Sequence, residues 1–517
     1  MNIIFKSMAV FVVSFFVFTT GGYALQSDQT SAKTSGATLK VLEDIADKRI
    51  GIFTGTVHDG FVARNYPKAK AFLYDYSSDM ILSLKTGKID VIMIDLITAG
   101  IIIKHNPELG VLSDNVFDMP LGVGFAKGNP ELRQAFNRFL ETIRENGIYD
   151  EMRQRWFIED PEAAIMPSFS NPVSKKKLKV GVSVEDLPYV AYMNGEYVGF
   201  DIEMIQRFAE WGDYRLDIMM IDFPALVPAL VSGKVSMIAD GIGISEERAK
   251  QIDFSDPYAT FRTAVVAARK NMDDRKPEET ESLLKNSFLH GIAESFHSNI
   301  IKESRYLLIL SGLKTTAVIS VLATLFGTLL GGLICFMRMS QKRILRVPAQ
   351  VYISILRGTP VLVVLMIIFY VVFASVDIDP LFVAVIAFGL NFAAYVSEMF
   401  RTGIEGVDRG QTEAGIAIGF SKVKTFVYIV LPQAVRRILP VYKGEMISLV
   451  KMTSIVGYIA VQDLTKASDI IRSRTFDAFF PLIMVAVLYF IISWLLMLSL
   501  EYVERMSNPK LKTSRAS

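Results

Sequence analysis

The placement of the apolar residues limits the possible folds of this chain more than any other feature. Five long apolar segments crowd its second half, at about Leu307–Met337, Val351–Ser375, Leu381–Met399, Val441–Ala460 and Pro481–Leu500. A helix needs about 20 residues to cross a bilayer, and backbone in lipid must satisfy its own hydrogen bonds. Most of the segments are near that length, so an all-α membrane domain of about five helices is expected there. Lys443, Glu445 and Lys451 interrupt the fourth segment, which suits a helix turned toward the bundle interior.

The first half reads differently. Between about Leu39 and Lys270, β-rich runs at Arg49–Phe53, Val91–Ile94 and Leu178–Val182 alternate with helical patterns at Ser77–Thr86 and Pro130–Phe157. Proline suits the first helical turn, which places Pro130 at a helix start. Asp160–Lys177 holds Pro161, Pro167, Pro172, several serines and a basic run, and reads as a linker. A second polar stretch, Asn271–Lys285, leads to the membrane half. The composition, 51% hydrophobic and 21% charged, fits such a mixture.

Charge and composition exclude several classes. A net charge of +2 over 517 residues gives no reason to expect nucleic acid. The one cysteine, Cys335, rules out an intrachain disulfide, and four scattered histidines make no zinc pattern. No metal and no cofactor are expected. Lys6, the apolar run Met8–Phe18 and Gly22-Tyr23-Ala24 read as a signal peptide over residues 1–24, with an uncleaved anchor as the alternative. In both cases the segment that follows is exported.

Positive loops mark the cytosolic side of a membrane. Arg338, Lys342, Arg343 and Arg346 follow the first span, whereas Ser375–Pro380 after the second carries Asp377 and Asp379. The expected arrangement is a bacterial inner-membrane protein with its N-terminal domain outside and its C-terminus in the cytosol. The Lys466–Arg474 stretch breaks this charge rule.

Several strings in the membrane half occur in a fixed order: Arg357-Gly358-Thr359-Pro360, Gly389-Leu390-Asn391 with Ala394-Tyr395 and Glu398, Gly410-Gln411, and Ile447-Ser448-Leu449-Val450-Lys451. Together they resemble the permeases of polar-amino-acid ABC importers over nearly all of Ser311–Arg505. The string EAGIAIGFSKVKTFVYIVLPQA, from Glu413, resembles their cytoplasmic coupling loop, with Gly415 in place of its usual alanine. The resemblance implies that Glu413, Ala414, Gly415 and Gly419 meet an ATPase. No GxxxxGK[ST] string occurs in the chain, so the chain is expected to be no enzyme itself. Two cytosolic ATPase copies are implied beneath a dimer of membrane domains, formed with itself or with a related permease.

The strings KVGVSVEDLPY, GEYVGFDIEMIQRFA and FPALVPALVSGKVSMIADGIGISEERAKQIDFSDPY resemble the first lobe of a periplasmic amino-acid-binding protein. LEDIADKRIGIFTGT, LKTGKIDVIMID, GVGFAKGNPEL and YDEMRQRWF, upstream of them, resemble the second lobe. One circularly permuted α/β bilobed (type II) domain is expected, with a second-lobe half at 39–160, a linker at 161–177 and a first-lobe half at 178–270. A linker at 271–306 and the permease at 307–505 follow. At up to ~3.4 Å per residue the first linker has ample reach. Half-domains that pair between subunits, or one degenerate copy, are alternatives.

The resemblance also implies ligand contacts. Arg248 matches the arginine that holds the ligand carboxylate, Thr56 a donor to the same group, and Asp95 the acceptor of the ammonium. Gly241, Ser183 and Asp186 are counted with them. Ser183 stands where many relatives carry a second aspartate, and Asp186 where an aromatic usually stacks on the ligand. Extra acid at Asp186 and Asp240 hints at a cationic side chain. The whole reads as the binding and membrane-spanning subunit of an importer for polar amino acids. Its rivals are a membrane-bound sensor without transport and a ligand-gated channel.

Overall fold

The computed structural model describes residues 39–170, 174, 176–183, 187–272, 295–374 and 376–507. The expected signal peptide, Asp186 and most of the second linker lie outside the described residues. Six strands precede the first linker: β1 (Arg49–Phe53), β2 (Lys70–Tyr74), β3 (Val91–Asp95), β4 (Leu109–Ser113), β5 (Asp118–Leu121) and β6 (Gly124–Ala126). Seven follow it: β7 (Lys177–Val182), β8 (Ala191–Met193), β9 (Glu196–Val198), β10 (Arg215–Met220), β11 (Met237–Ile238), β12 (Ile252–Phe254) and β13 (Ala259–Ala268). β1 and β3 are near-continuous apolar runs, as strands covered on both faces must be.

These strands build two sheets and a small β8–β9 hairpin. One sheet runs β2-β1-β3-β13-β4 with β5 also on β13, and the other runs β10-β7-β11-β6-β12. The β1–β2, β1–β3, β7–β10 and β7–β11 pairs are parallel. The two segments on either side of the first linker therefore do not each make one lobe, contrary to the expected division. β13 lies antiparallel to β3 in the sheet of residues 49–121, and β6 lies between β11 and β12. Helix Pro130–Glu145 also joins the first lobe, where Phe136 and Phe139 meet Phe208 at ring separations of 5.0 and 5.4 Å. The reason is burial. Phe125 of β6 and Val180 of β7 are fully enclosed in one core, which neither segment closes alone. The chain crosses between lobes twice, between β5 and β6 and between β12 and β13.

Local rules explain the helix limits. The pattern at Ser77–Thr86 gives helix Ser77–Lys85. The one at Pro130–Phe157 divides, because Gly147 adopts φ +81°, where a helix cannot continue. Asn129 caps the first part through Leu132 N.

In the membrane half, Tyr306–Met339, Pro380–Glu405 and Phe480–Tyr502 are long and apolar enough to cross a bilayer. Two bent pairs, Arg343–Gly358 with Val361–Val372 at 109° and Lys422–Ile459 with Leu464–Thr475 at 55°, raise the number to five among the described residues. The expected span Val351–Ser375 is thus not one straight helix. Pro360 has no amide hydrogen and pushes the residue before it out of the helical region, and Thr359 adopts φ −109°, ψ 134°. Helices Tyr306–Met339 and Pro380–Glu405 approach backbone to backbone. A Cβ on Gly327 would come within 2.7 Å of the Gly389 carbonyl oxygen, the close approach that small residues permit between membrane helices.

Helix Leu464–Thr475 explains the broken charge rule. Its basic residues meet the binding domain. Arg472, 6% exposed, pairs with Asp79 and Asp469, and Lys466 pairs with Asp222. Tyr76 Oη donates to Asp469 at 3.0 Å, and Arg474 pairs with Glu162 at 2.9 Å. Tyr76 and Asp79 belong to the second lobe and Asp222 to the first, so one helix touches both. Lys177 and Lys179 of β7 pair with Asp377 beside it.

Candidate functional site

A cleft opens between the two sheets, with walls from both lobes. On the second lobe, β1 ends at Phe53, and Gly55 at φ +72° turns the chain so that Thr56 precedes helix Val57–Asn65. The first amides of a helix lack intrahelical partners and favour anions. Thr56, Val57 and His58, which sit at this helix start, all line the cleft. β3 ends at Asp95, whose Oδ1 accepts from Thr98 N at 2.9 Å as the cap of helix Leu96–His105. Asp95 thus caps a helix and faces the cleft at once, and burial holds its carboxyl above the usual range.

On the first lobe, Ser245 caps a short helical turn that carries Arg248. The Arg248 guanidinium donates to Gly243 O and, across the cleft, to Gly55 O, both at 2.9 Å. It stacks over Phe223 at 5.4 Å, and burial lowers its pKa to about 10. Gly241, at φ +56°, lines the wall, and a Cβ there would press on the Tyr189 ring at 3.0 Å. Its amide donates to Asp201 Oδ2 at 2.6 Å, which also accepts from Tyr258 Oη at 2.9 Å.

The structure therefore brings Arg248, Thr56, Asp95 and Gly241 to one cleft. Ser183 is not among the lining residues. It is buried behind Asp240 and donates to it from Oγ and from N. Ten lining residues were not counted with the ligand-binding set, His58, Tyr189, Phe223 and Asp240 among them. Tyr189 closes the string KVGVSVEDLPY and Asp240 interrupts a small-residue lining, so both left a trace in the sequence. His58 left none. Its ring nitrogens lie 3.3 Å from Thr56 Oγ1 and 3.2 Å from Thr263 Oγ1. Burial, helped by the charge of Arg248, lowers its pKa to about 4, so the imidazole is neutral. Among the described residues no cluster of His, Cys, Asp and Glu could hold a metal ion.

A second candidate site lies at the other end of the molecule. Asp408 caps helix Arg409–Ala417, and a short helix, Lys422–Thr425, follows Gly419. Glu413 and Ala414 are exposed, while Gly415 is buried. A Cβ on Gly415 would come within 2.5 Å of Thr425 Cγ2, so here the departure from alanine is what lets the two helices meet. Gly419 faces open space but has φ +92°, which side chains rarely adopt. Ile418, Val423 and Tyr428 are 69%, 73% and 68% exposed.

Comparisons with known proteins match the two halves of the chain to different families. A family described as binding-protein-dependent transport system inner membrane component matches residues 309–510, and one described as bacterial extracellular solute-binding proteins, family 3, matches residues 62–159. A putative glutamine transport system permease protein of Rickettsia felis is 36% identical over 203 residues, 39% of this chain and 93% of the relative. An L-cystine transport system permease protein of Bacillus subtilis is 39% identical over 209 residues, 40% of this chain and 89% of the relative. A solved structure of an amino acid ABC transporter shares 34% identity, covers 43% of this chain and 99% of that chain, and has a TM-score of 0.38. The fold and the matches define a membrane transport subunit, not an enzyme. The chain belongs to the inner-membrane permeases of binding-protein-dependent transport systems, and carries a solute-binding domain in the same polypeptide.

Proposed function

We propose that this protein captures polar amino acids outside the inner membrane and conducts them inward, driven by two copies of a separate cytosolic ATPase. The observation that carries the reading is the convergence of Arg248, Asp95 and Thr56, from three separate stretches of sequence, on one interlobe cleft. An amino acid brings a carboxylate and an ammonium, each costly to bury unpaired. Arg248 and the helix start at Thr56 suit the first, and Asp95 suits the second. Tyr189 and Gly241 shape the wall between them. Relatives named for glutamine, cystine and arginine transport support an amino-acid cargo.

The interleaved strands support a single permuted binding domain within one chain, since β6 and β13 complete each other's sheets. Two crossings between lobes make a hinge for closure around a ligand. The domain sits outside and the elbow at Glu413–Phe420 inside, with the permease acting as a dimer with itself or with a related subunit. The exposed Ile418, Val423 and Tyr428 beside Glu413, Ala414, Gly415 and Gly419 supply an apolar face for the ATPase.

Calorimetry on the purified full chain tests the cleft. Removing one partner of a buried charge pair costs about 2–5 kcal/mol, so Arg248→Ala is expected to weaken amino-acid binding at least ~30-fold. Unchanged affinity removes Arg248 from the site.

A further inference from the structure

We propose that the amino acid held in the cleft carries a cationic side chain, and that Asp240 is the residue that selects it. The inference rests on the reading of the cleft as an amino-acid site and adds the class of cargo.

The charges on the wall do not balance for a neutral amino acid. Arg248 is the cation, Asp95 and Asp240 are carboxylates, and His58 is uncharged. The ligand carboxylate is matched by Arg248 and its ammonium by Asp95, which leaves Asp240 over. Asp240 is 8% exposed, and so more than nine-tenths buried. Its Oδ2 accepts from both the hydroxyl and the amide of Ser183. Its Oδ1 has no hydrogen-bond partner among the described residues. A buried carboxylate with one oxygen fixed and the other uncommitted is a receptor for a donor that brings positive charge.

The surroundings sharpen the choice. Asp201, directly behind Gly241, is fully buried, and its Oδ1 also lacks a partner among the described residues. It adds negative potential at the same wall, and burial together with this charge, against the hydrogen bonds from Ser183 and the opposing charge of Lys466, holds the Asp240 carboxyl above its usual range. A ligand ammonium or guanidinium relieves both effects, whereas a glutamate side chain adds to them. Tyr189 and Phe223 on the same wall offer aromatic faces, which cations also favour. Ser183 gains a role as well. Its hydroxyl and amide orient an aspartate that lies just beyond the neighbouring strand β11.

The test is calorimetry on the intact protein in detergent with L-arginine, L-lysine, L-glutamine, L-norleucine and L-glutamate as probes. A charged hydrogen bond in a buried site supports at least about tenfold discrimination. Arginine or lysine is expected to bind at least about tenfold more tightly than glutamine or norleucine, with glutamate weakest. Asp240→Asn is expected to lower affinity for the cations about tenfold or more and to narrow their advantage over glutamine to under about threefold. Glutamine or norleucine binding as tightly as the cations overturns the inference and leaves the amino-acid reading intact. An equal loss for all five probes in Asp240→Asn also overturns it. Failure of every probe to bind overturns both readings at once.

Discussion

Two short helical stretches of the membrane half meet their surroundings in opposite ways. Leu464–Thr475 has its charges matched within the chain, with Arg472 on Asp79, Lys466 on Asp222 and Arg474 on Glu162. The elbow at Arg409–Val430 leaves Ile418, Val423 and Tyr428 largely bare. The first stretch already has its partner, the binding domain fused upstream, while the second is, in the proposed reading, the surface for the ATPase. On that reading, fusion turns one of the two interfaces of a transport subunit into an internal contact and leaves the other external.

The largest effect expected from breaking this contrast is at Gly415. A Cβ there meets Thr425 at 2.5 Å, so Gly415→Val forces the elbow helices apart. Uptake by reconstituted protein with its ATPase is expected to fall about 100-fold or more, while calorimetric affinity for the amino acid stays within about twofold. Normal uptake would remove the elbow from coupling. Gly419 behaves differently, because it faces open space and its constraint is conformational. Gly419→Val is expected to cost about 1–3 kcal/mol locally and to reduce uptake less than Gly415→Val, with Gly419→Asn closer to the parent. Equal losses for valine and asparagine would show that bulk, not φ, matters.

At the outer contact, Arg472→Ala leaves Asp79 and Asp469 without their cation. Breaking a buried pair costs about 3–5 kcal/mol, and transport is expected to drop about tenfold or more, with ligand affinity retained. Since Asp79 is 41% exposed at its side chain, solvent screening puts the effect at the lower end. The exchange Arg472→Asp with Asp79→Arg is expected to restore part of the loss. Absence of any recovery would deny the pairing a role in transport.

The smallest effect is at His58. An imidazole in an unfolded chain takes up a proton near 6.5, whereas buried His58 does so only near 4. Unfolding therefore binds a proton between these values, and this residue's contribution to stability falls as pH drops from 6.5 to 4. Thermal melts of His58→Gln against the parent are expected to show that difference narrowing toward low pH. A constant difference would mean that His58 titrates alike in both states.

Much of the architecture was legible before the structure. Runs such as Val91–Ile94 and the apolar segments announce their elements through period and length, which depend on local chemistry. The exchange of β6 and β13 between sheets was not legible, because strand pairing across more than a hundred residues leaves no local pattern. The break at Thr359-Pro360 was visible as a motif, but its 109° bend is a property of packing. In the site, Arg248, Asp95, Thr56 and Gly241 were found through strings that resemble a known family. His58 was missed because a lone histidine on a helix start looks like any other. The basic run at Lys466–Arg474 stood against the charge rule for a clear reason. A charge rule for lipid surfaces does not apply where the protein itself supplies the counter-charge.

The account stands on the division of labour between these two ends, and one reconstitution tests it most directly. The purified chain is placed in proteoliposomes with labelled arginine outside, with and without an ABC ATPase and ATP inside. Binding is expected in both cases, and uphill accumulation only with the ATPase and ATP. Accumulation against a gradient by the chain alone would contradict it.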